Sequence, residues 1–387
     1  MKASDYAVTT FGQVESDHYG NWPHGFFLPR FIGDFAVNLT DETLFAINRA
    51  ERALGKVTGL SMVIAEPEIL LAPSLMREAL SSSRIEGTQA SLSDALTANR
   101  QTGPITNENL REINNYLAAL KHGAALLSEL PLATRIIRAT HTKLMRGVRG
   151  EEKYPGEYRK SPVWIGGGGV GPAEAAYIPP LPNHIGGLMT DLERYLNEPN
   201  NHSTVLKAAL AHYQFETIHP FLDGNGRIGR LLISLLFIQD GALPQPVVNL
   251  SSYFEDYRTE YYQHLQAVRE KGEINQWVQF FAQGVERQAA ETAQRITTLL
   301  EIQHRYRNQV AGERSRVRDL VDVLIQNPIL ETATVSSLLQ ISTTTAGKIM
   351  QKAQTFGWVL PMNRSGRGGR QYWYAHEIWS ATTTESI

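Results

Sequence analysis

The sequence predicts a mainly α-helical protein with a β-hairpin in the middle of the chain and a second hairpin near its end. Apolar residues recur at helical spacing through most of the chain, and Gly and Pro interrupt that spacing at intervals. The 387 residues are enough for two or three domains. β-branched and aromatic residues cluster only in short stretches, at residues 163–165, 176–178, 358–360 and 371–374.

Composition excludes several classes of protein. Lys and Arg number 37 against 39 Asp and Glu, so any contact with nucleic acid must be local. The chain has no cysteine, which rules out disulfides, thiolate nucleophiles and thiolate metal sites and is compatible with a reducing cytoplasm. No basic start followed by an apolar core is visible, and the longest apolar run is too short to span a membrane. We therefore expect a cytoplasmic protein without a membrane partner.

The first third of the chain is expected to be an irregular arm followed by helices. Residues 1–35 are rich in Gly, Pro and aromatic side chains without a period, which indicates irregular structure packed on the body. One helix is predicted over residues 73–85, with Pro73 in its first turn and Gly87 closing it. Further elements are expected at residues 91–95, 107–127 and 132–145.

The middle of the chain alternates between helices and one hairpin. Residues 163–165 and 176–178 have the composition of two strands, joined by a flexible tip that contains the glycine run 166–169. Helices are predicted over residues 184–196, 203–218, 255–271 and 274–309, together with the apolar run 231–238. The helix from residue 274 is long enough to act as a connecting rod.

The end of the chain has a different character. Two strands at 358–360 and 371–374 flank a Gly/Arg-rich loop, and three short helices precede them, at residues 316–326, 334–339 and 342–356. This order indicates a winged helix-turn-helix. Residues 313–374 contain eight Arg and Lys against four Asp and Glu, and the wing arginines suit phosphate contacts on DNA. The excess is modest, and a winged helix used for protein contact or dimerisation fits the pattern as well.

The segment 219–230, His-Pro-Phe-Leu-Asp-Gly-Asn-Gly-Arg-Ile-Gly-Arg, is where we expect the chemistry. Pro220 ends the preceding helix, and the glycines around Asn225 permit positive φ and a close approach of a ligand to the backbone. A second helix then starts, whose first N–H groups have no intrahelical partners. Arg227 and Arg230 lie in its first turn, where cations oppose the helix dipole. A bound anion, most simply a phosphate, would satisfy both the N–H groups and the guanidinium groups.

Two other phosphate-binding motifs do not fit this segment. Gly224, Gly226 and Gly229 match the spacing of the dinucleotide fingerprint, but a helical pattern rather than a strand precedes them, and no Lys-Ser/Thr pair completes a P-loop. The remaining groups are the imidazole of His219, which can remove a proton from a hydroxyl, and the carboxylate of Asp223, which can hold Mg²⁺. The alternative is that these residues have only structural roles, as a core histidine, an N-capping aspartate and surface arginines.

The same segment resembles the signature of the Fic family, whose members transfer AMP from ATP to protein hydroxyl groups. Every fixed position of His-Pro-Phe-x-Asp-Gly-Asn-Gly-Arg-x-Gly-Arg is present. The resemblance implies that His219 is the general base on a Tyr, Thr or Ser hydroxyl of the target and that Asp223 binds Mg²⁺. Gly226 stands where kinase-like (Doc-type) relatives carry lysine, which favours transfer of AMP over transfer of phosphate. The residues that the resemblance assigns to ATP are Asp223, Gly224, Asn225, Gly226, Arg227, Gly229 and Arg230.

A second resemblance to the family lies upstream. Ser82, Glu86 and Gly87 match its inhibitory motif, Ser/Thr-x-x-x-Glu-Gly/Asn. Glu86 is predicted in the last turn of its helix, where an anion opposes the dipole and needs a cationic partner. The resemblance names Arg230 as that partner and implies that Glu86 displaces the γ-phosphate of ATP. By itself the motif is short, and a surface Glu before a C-capping Gly is common.

The hairpin 163–178 occupies the place of the Fic flap, which pairs with an extended target segment by β-augmentation. Trp164 or Ile165 would clamp the target residue, although simple packing of a hairpin explains these side chains equally well. Tyr261 is a candidate for stacking on the base and Arg269 for a polar contact beside it. An aromatic stripe on a helix is more often part of the core.

We expect four parts, with an arm and inhibitory helical region at 1–125, the catalytic core at 126–290, a connecting helix at 291–312 and the winged helix at 313–387; the resemblance covers roughly residues 40–290, and the sequence pattern predicts the rest. The implied function is transfer of AMP from Mg·ATP to a target protein or to the chain itself, inhibited by Glu86. Two alternatives stay open, a DNA-binding regulator that senses nucleotide through its Fic core and an enzyme that removes AMP with water oriented by the same glutamate. DNA, a protein or a second copy of the chain are all compatible partners of the winged helix.

Overall fold

A computed structural model describes residues 1, 3–17, 22–63, 68–92, 95, 107–166, 171–313, 315–362 and 371–382. Fourteen α-helices and two small antiparallel sheets account for most of these residues, which agrees with the predicted helical class. The glycines of the hairpin tip after Gly166 and the wing arginines, Arg364, Arg367 and Arg370, lie outside the described residues. Within the described part of the chain, no helix has the length and apolar character needed to cross a membrane.

The N-terminal helices surround the inhibitory motif. They are α1 (Asp41–Val63), α2 (Glu68–Ile85), α3 (Glu108–Leu126) and α4 (Thr134–Leu144). Helix α2 ends where the sequence predicts but starts at Glu68, because the helical segment includes the apolar residues before Pro73. The prediction that Pro73 occupies the first turn is therefore wrong. Helix α3 begins after Asn107, whose side chain accepts a hydrogen bond from the N–H of Leu110.

Six further helices form the centre of the molecule. They are α5 (Pro182–Asn197), α6 (Thr204–Ile218), α7 (Asn225–Gln239), α8 (Leu250–Asp256), α9 (Arg258–Lys271) and α10 (Ile274–Gln309). Residues Val205 to Ile218 of α6 are all buried, and this helix packs against α7. The single helix predicted over 255–271 is two helices, since the backbone of Tyr257 (φ −114°, ψ 42°) is not helical.

The N-terminal arm is more regular than predicted. Strands β1 (Gly12–Glu15) and β2 (Phe26–Pro29) pair in antiparallel fashion, and the Phe27 N–H donates to the carbonyl of Ile178 (2.9 Å). Phe26 and Ile178 belong to one small apolar cluster, so burial of these apolar residues orders the arm against the flap.

Among the described residues, the predicted central hairpin pairs through a single bridge, between Ile165 and Tyr177. The Ile165 N–H donates to the Tyr177 carbonyl (2.8 Å), and the Tyr177 N–H donates back (3.1 Å). Pro162 on one side and Pro179 with Pro180 on the other have no N–H to donate, which limits the ladder to this point.

The C-terminal unit contains the three predicted helices and the two predicted strands, together with one strand before residue 332 and one helix after residue 375 that the sequence pattern does not predict. They are α11 (Val317–Gln326), β3 (Ile329–Glu331), α12 (Thr332–Leu338), α13 (Thr343–Thr355), β4 (Leu360–Pro361), β5 (Tyr372–Tyr374) and α14 (His376–Thr382). The strands form an antiparallel sheet in the order β3-β5-β4. This unit contacts α2 directly, because α11 packs on it and Arg77 donates to the carbonyl of Thr382 (3.0 Å).

Candidate active site

The site lies where α6 ends and α7 begins. His219 and Gly224 both adopt left-handed conformations (φ 49° and 75°), which turn the chain sharply between the two helices. The side-chain amide of Asn225 closes the turn, since its Oδ1 accepts the Phe221 N–H and its Nδ2 donates to the Phe221 carbonyl, both at 2.8 Å. The first intrahelical bond of α7 runs from Ile228 to Gly224 (3.0 Å), so the N–H groups before it have no intrahelical partner. The predicted helix start is present, and the binding of an anion by its first N–H groups stays a prediction.

His219 is held beside this helix start by its own backbone. Its carbonyl accepts from Nε of Arg159 (2.9 Å), and Nη2 of the same arginine donates to the carbonyl of Pro180 (2.5 Å). Burial, together with the positive charges of Arg159 and Arg269, lowers the pKa of His219 to about 3. The imidazole is therefore neutral at physiological pH, which is the form that can accept a proton.

Arg230 is buried and fully engaged by α2. Its Nε donates to Oγ of Ser82 (2.9 Å), and its Nη2 donates to the Ser82 carbonyl (2.8 Å) and to Oε1 of Glu86 (2.7 Å). The end of α2 aims Glu86 at this arginine. The Thr88 N–H returns to the carbonyl of Ser83 (3.1 Å), and Gly87, at φ 97°, makes the turn that places Glu86 at the helix end.

The carboxylate of Glu86 sits directly over the start of α7. A Cβ atom on Gly226 would collide with Oε1 of Glu86 and lie 3.0 Å from Nη1 of Arg230, so only glycine leaves room for this contact. Burial opposes ionisation of Glu86, but the charge and hydrogen bond of Arg230 hold its pKa below the ordinary value. An anion therefore already occupies the position where the sequence predicts a phosphate.

Arg227 is buried as deeply as Arg230 but is poorly satisfied. Its Nη2 lies 3.5 Å from Oδ1 of Asp223, and its Nη1 lies 4.0 Å from Oε2 of Glu112. Among the described residues, Nε and Nη1 have no hydrogen-bond partner. Buried guanidinium groups are normally paired, so these free donors indicate a place for a second anion.

Asp223 and two residues that sequence reasoning missed complete this side of the site. Oδ1 of Asp223 accepts the Gly224 N–H (2.7 Å), and Oδ2 accepts from Nζ of Lys153 (2.8 Å). Burial works against the charged form, but the bond to Lys153 and its charge hold the pKa of Asp223 below its usual value.

His141 supports the same loop from behind. Its Nδ1 accepts the Gly156 N–H (2.7 Å), which leaves the Nε2–H to donate to the Asp223 carbonyl (2.9 Å). Burial lowers the pKa of His141 to about 4, and the ring stacks on Phe221 at 3.8 Å. Lys153 and His141 lie 66 residues or more before the segment 219–230, so no local motif pointed to them.

Three predicted nucleotide-binding residues have other roles in the structure. A Cβ atom on Gly229 would collide with Oε1 of Glu216, so Gly229 permits close packing of α6 on α7. Tyr261 is 1% exposed, and its hydroxyl lies 2.8 Å from Nε2 of His212. Its ring stacks on core aromatic side chains, and it is therefore unavailable for stacking on a base.

Arg269 is also buried, against the flap and α6. Its guanidinium lies 4.0 Å from the centre of the Tyr177 ring, and its Nε donates to Oγ1 of Thr217 (3.2 Å). The aromatic ring that does face the site is that of Tyr262, which is 42% exposed. Burial and the carboxylate of Glu86 raise the pKa of Tyr262 to about 12. Of the two neighbouring tyrosines, Tyr262 has the exposed ring, and the assignment of this helix to the base of the nucleotide stays a prediction.

The flap residues Trp164 and Ile165 are both partly exposed, at 42% and 38%. Trp164 stacks with Trp22 of the arm at 6.4 Å. Their exposure leaves a surface beside the site, and the clamping of a target residue stays a prediction.

Comparison with known proteins identifies the family. Residues 44–125 match the Fic/DOC family N-terminal model, and residues 131–237 match the Fic/DOC family model. These two stretches of the chain are Fic/DOC family domains. The second match contains the segment 219–230, and the first contains Ser82, Glu86 and Gly87.

Curated relatives and solved structures agree with this assignment. "Protein adenylyltransferase Fic" of Drosophila melanogaster is 29% identical over 262 residues, which cover 64% of this chain and 48% of the relative. The protein of the same name from Drosophila grimshawi is 31% identical over 209 residues, covering 52% and 40%. This Fic chain thus spans about half the length of the curated relatives it matches.

Two crystal structures share the fold. A Fic family protein from Desulfovibrio desulfuricans G20 superposes with a TM-score of 0.57 at 19% identity, covering 91% of this chain and 98% of that one. Fic-1 (residues 134–508) from C. elegans gives a TM-score of 0.52 at 20% identity, covering 66% and 73%. The first of these similarities extends over nearly the whole chain.

Proposed function

We propose that this protein is an adenylyltransferase that transfers AMP from ATP to a Tyr, Thr or Ser hydroxyl of a target protein, and that Glu86 inhibits it. The observation that carries the proposal is the pair of buried arginines at the start of α7. Arg230 is neutralised by Glu86 at 2.7 Å, whereas Nε and Nη1 of Arg227 have no hydrogen-bond partner among the described residues. Relatives named protein adenylyltransferase support the same reaction.

The reaction forms a bond between the target hydroxyl oxygen and the α-phosphorus of ATP and breaks the bond from that phosphorus to the bridging oxygen of the β-phosphate. The hydroxyl proton passes to His219, and pyrophosphate leaves. The N–H groups at the start of α7 and the guanidinium of Arg227 stabilise the negative charge that develops on the phosphates. Positioning and charge stabilisation supply most of the catalysis in phosphoryl-type transfers, and this arrangement provides both.

The residues present fit a Mg²⁺ ion at Asp223. Mg²⁺ is commonly bound by one or two carboxylates together with phosphate oxygens, so it does not require a cage of protein ligands. Among the described residues no group of three or more His, Asp or Glu could hold a metal, which agrees with a single carboxylate supplemented by ATP. Bound there, the ion would neutralise phosphate charge. Oδ2 of Asp223 is the oxygen available to it once Lys153 moves away.

The proposed inhibition follows from the position of Glu86. Its carboxylate contacts Arg230 above Gly226, so a phosphate cannot approach the same guanidinium without displacing it. With a third of its side chain exposed (32%), Glu86 can swing away from α7 without unfolding α2. The resting state is therefore the inhibited one, and ATP binds productively when the pair opens.

Labelled ATP tests both parts of the proposal. We expect label from the α-position to appear on protein, label from the γ-position not to, and the α-label to increase at least about tenfold in Glu86→Gly because a charged hydrogen bond no longer competes. His219→Ala in the same background controls for non-enzymatic labelling. Transfer of γ-label would make the protein a kinase, and equal α-labelling of wild type and Glu86→Gly would remove the inhibitory role.

We further propose that the C-terminal unit, residues 313–387, is a winged helix with its own partner, attached by the connecting helix 291–312 to the core 126–290 and the arm and inhibitory region 1–125. The order of its first three helices and the β3-β5-β4 sheet support this interpretation. Binding of duplex DNA by His219→Ala, weakening steeply between about 50 and 200 mM salt, would identify DNA as the partner. If duplex DNA does not bind even at low salt, the partner of the winged helix would be a protein.

A further inference from the structure

Resting on the proposed function, we propose that Lys153 is an additional nucleotide-binding residue, whose ammonium holds Asp223 until Mg²⁺ replaces it and then contacts the phosphates of ATP. In the structure Nζ of Lys153 lies 2.8 Å from Oδ2 of Asp223. A cation thus already occupies the carboxylate oxygen that the metal needs.

Only one oxygen of Asp223 is open to exchange. Oδ1 accepts the Gly224 N–H at 2.7 Å and faces the guanidinium of Arg227 at 3.5 Å, so it is held by the loop and by α7. Oδ2 packs against Gly150, where a Cβ atom would come within 2.8 Å of it. The ammonium of Lys153 is the group that must leave this oxygen when a divalent cation arrives.

Lys153 can make that exchange. Its side chain is 42% exposed, and its backbone is anchored in a turn by a bond from its N–H to the Gly150 carbonyl (2.9 Å). A lysine ammonium is a point charge on a flexible four-carbon stem, so it can move several ångströms while its Cα stays in place.

The direction of movement follows from the charges. Mg²⁺ and an ammonium cannot share one carboxylate oxygen, and the phosphates of ATP would bring several negative charges to the start of α7 beside Asp223. An ammonium released at this point moves to the nearest anion, which is then the phosphate chain. Lys153 therefore exchanges one partner for another, and its ammonium keeps an anionic partner throughout.

The test separates the two partners of Lys153 by measuring metal and nucleotide binding independently, in the Glu86→Gly background. Binding of Mn²⁺ without nucleotide is followed by water proton relaxation, and binding of ATP in the presence of Mg²⁺ by calorimetry. In Lys153→Ala we expect Mn²⁺ to bind about two- to fivefold more tightly, since an exposed ion pair no longer competes. We expect Mg·ATP to bind about fivefold more weakly, since a charge-assisted contact to phosphate is lost.

Opposite signs are the signature of the exchange, and a lysine that only supports the turn would shift both affinities in the same direction. Lys153→Arg should stay near the parent in both measurements, and Lys160→Ala, at an exposed lysine of the same segment, should change neither. Unchanged affinities in Lys153→Ala, or two affinities that move together, would overturn the proposal. Because both readouts are of binding, loss of AMP transfer in the parent would count against the proposed function and leave this inference standing.

Discussion

Arg227 and Arg230 lie three residues apart on α7 and have the same side chain, but they differ in their hydrogen-bond partners. Arg230 donates to Ser82 twice and to Glu86 once, all within 2.9 Å. Arg227 is equally buried, yet its nearest carboxylates are 3.5 and 4.0 Å away, and its Nε and Nη1 have no partner within the described residues. The guanidinium of Arg230 therefore has its hydrogen-bond partners within the chain, whereas that of Arg227 has donors available for a ligand.

Under the proposed function, inhibition and nucleotide binding would use neighbouring residues of one helix. A buried guanidinium without partners is costly, so the fold retains Arg227 in that state only if a ligand repays it. Arg230 faces α2 and can be satisfied by Glu86 when no ligand is present. The protein can therefore keep one half of its phosphate site ready while the other half is closed by its own carboxylate.

The largest expected effect separates binding from chemistry. His219 does not contact either arginine in the structure, so His219→Ala should leave the affinity for ATP within about twofold while AMP transfer falls about 10²- to 10⁴-fold, the usual contribution of a general base. Calorimetry with ATP and α-label transfer in the Glu86→Gly background measure the two quantities. A parallel loss of ATP affinity would show that the imidazole also positions the nucleotide.

The next prediction tests the contrast between the two arginines directly. Removing the partner of Arg230 in Glu86→Gly should increase ATP affinity by about ten- to a hundredfold, the value of one hydrogen bond between charged groups. Glu112→Gln removes the charge nearest Arg227 on the other side, at 4.0 Å, and should change affinity by less than about threefold because the pair is too long for a hydrogen bond. Equal gains in the two variants would mean that only total charge matters and that Arg230 is not specially blocked.

A smaller effect concerns the base of the nucleotide. Tyr262→Ala should weaken ATP binding about five- to tenfold, which is within the range for loss of one stacking contact. Tyr261→Phe should leave ATP binding unchanged. It should lower thermal stability, because it removes the hydroxyl bonded to the buried His212. Binding isotherms and thermal unfolding of the two variants decide between the neighbours. A binding defect in Tyr261→Phe instead would restore the original assignment.

These neighbours show where sequence reasoning succeeds and where it stops. The helix-end position of Glu86 predicts only that it needs a cationic partner, and the resemblance to the Fic family names Arg230, which the structure places 2.7 Å from it. The choice between Tyr261 and Tyr262 depends on which way each points on α9, and adjacent residues on a helix differ in direction by about 100°. The period of apolar residues therefore predicts where such a helix lies in the sequence better than it predicts which side chains face the site.

Other parts of the site were beyond a local pattern. Lys153 reaches Asp223 only because the chain after α4 folds back across the end of α6, a contact over 70 positions of sequence. Order in the N-terminal arm depends in the same way on Phe26 packing against Ile178, which no period within residues 1–35 reveals. The sequence could predict the helices and the signature, whereas these long-range contacts required the fold.

The smallest expected effect concerns the charge around His219, whose imidazole should not titrate near neutral pH. Its pKa in the folded protein, about 3, lies below the ordinary value of 6.5, so the imidazole should stay neutral from pH 8 down to 5 and its NMR shifts should not move over that interval. Glu86 is one of the groups that raise this pKa, whereas Arg159 and Arg269 lower it; Glu86→Gly should therefore titrate at still lower pH. Assignment by comparison with His219→Ala makes the signal unambiguous. A titration midpoint near pH 6.5 in either protein would show that water reaches the imidazole. The neutrality of His219 at pH 7 would then not come from its burial or from the charges of Arg159 and Arg269.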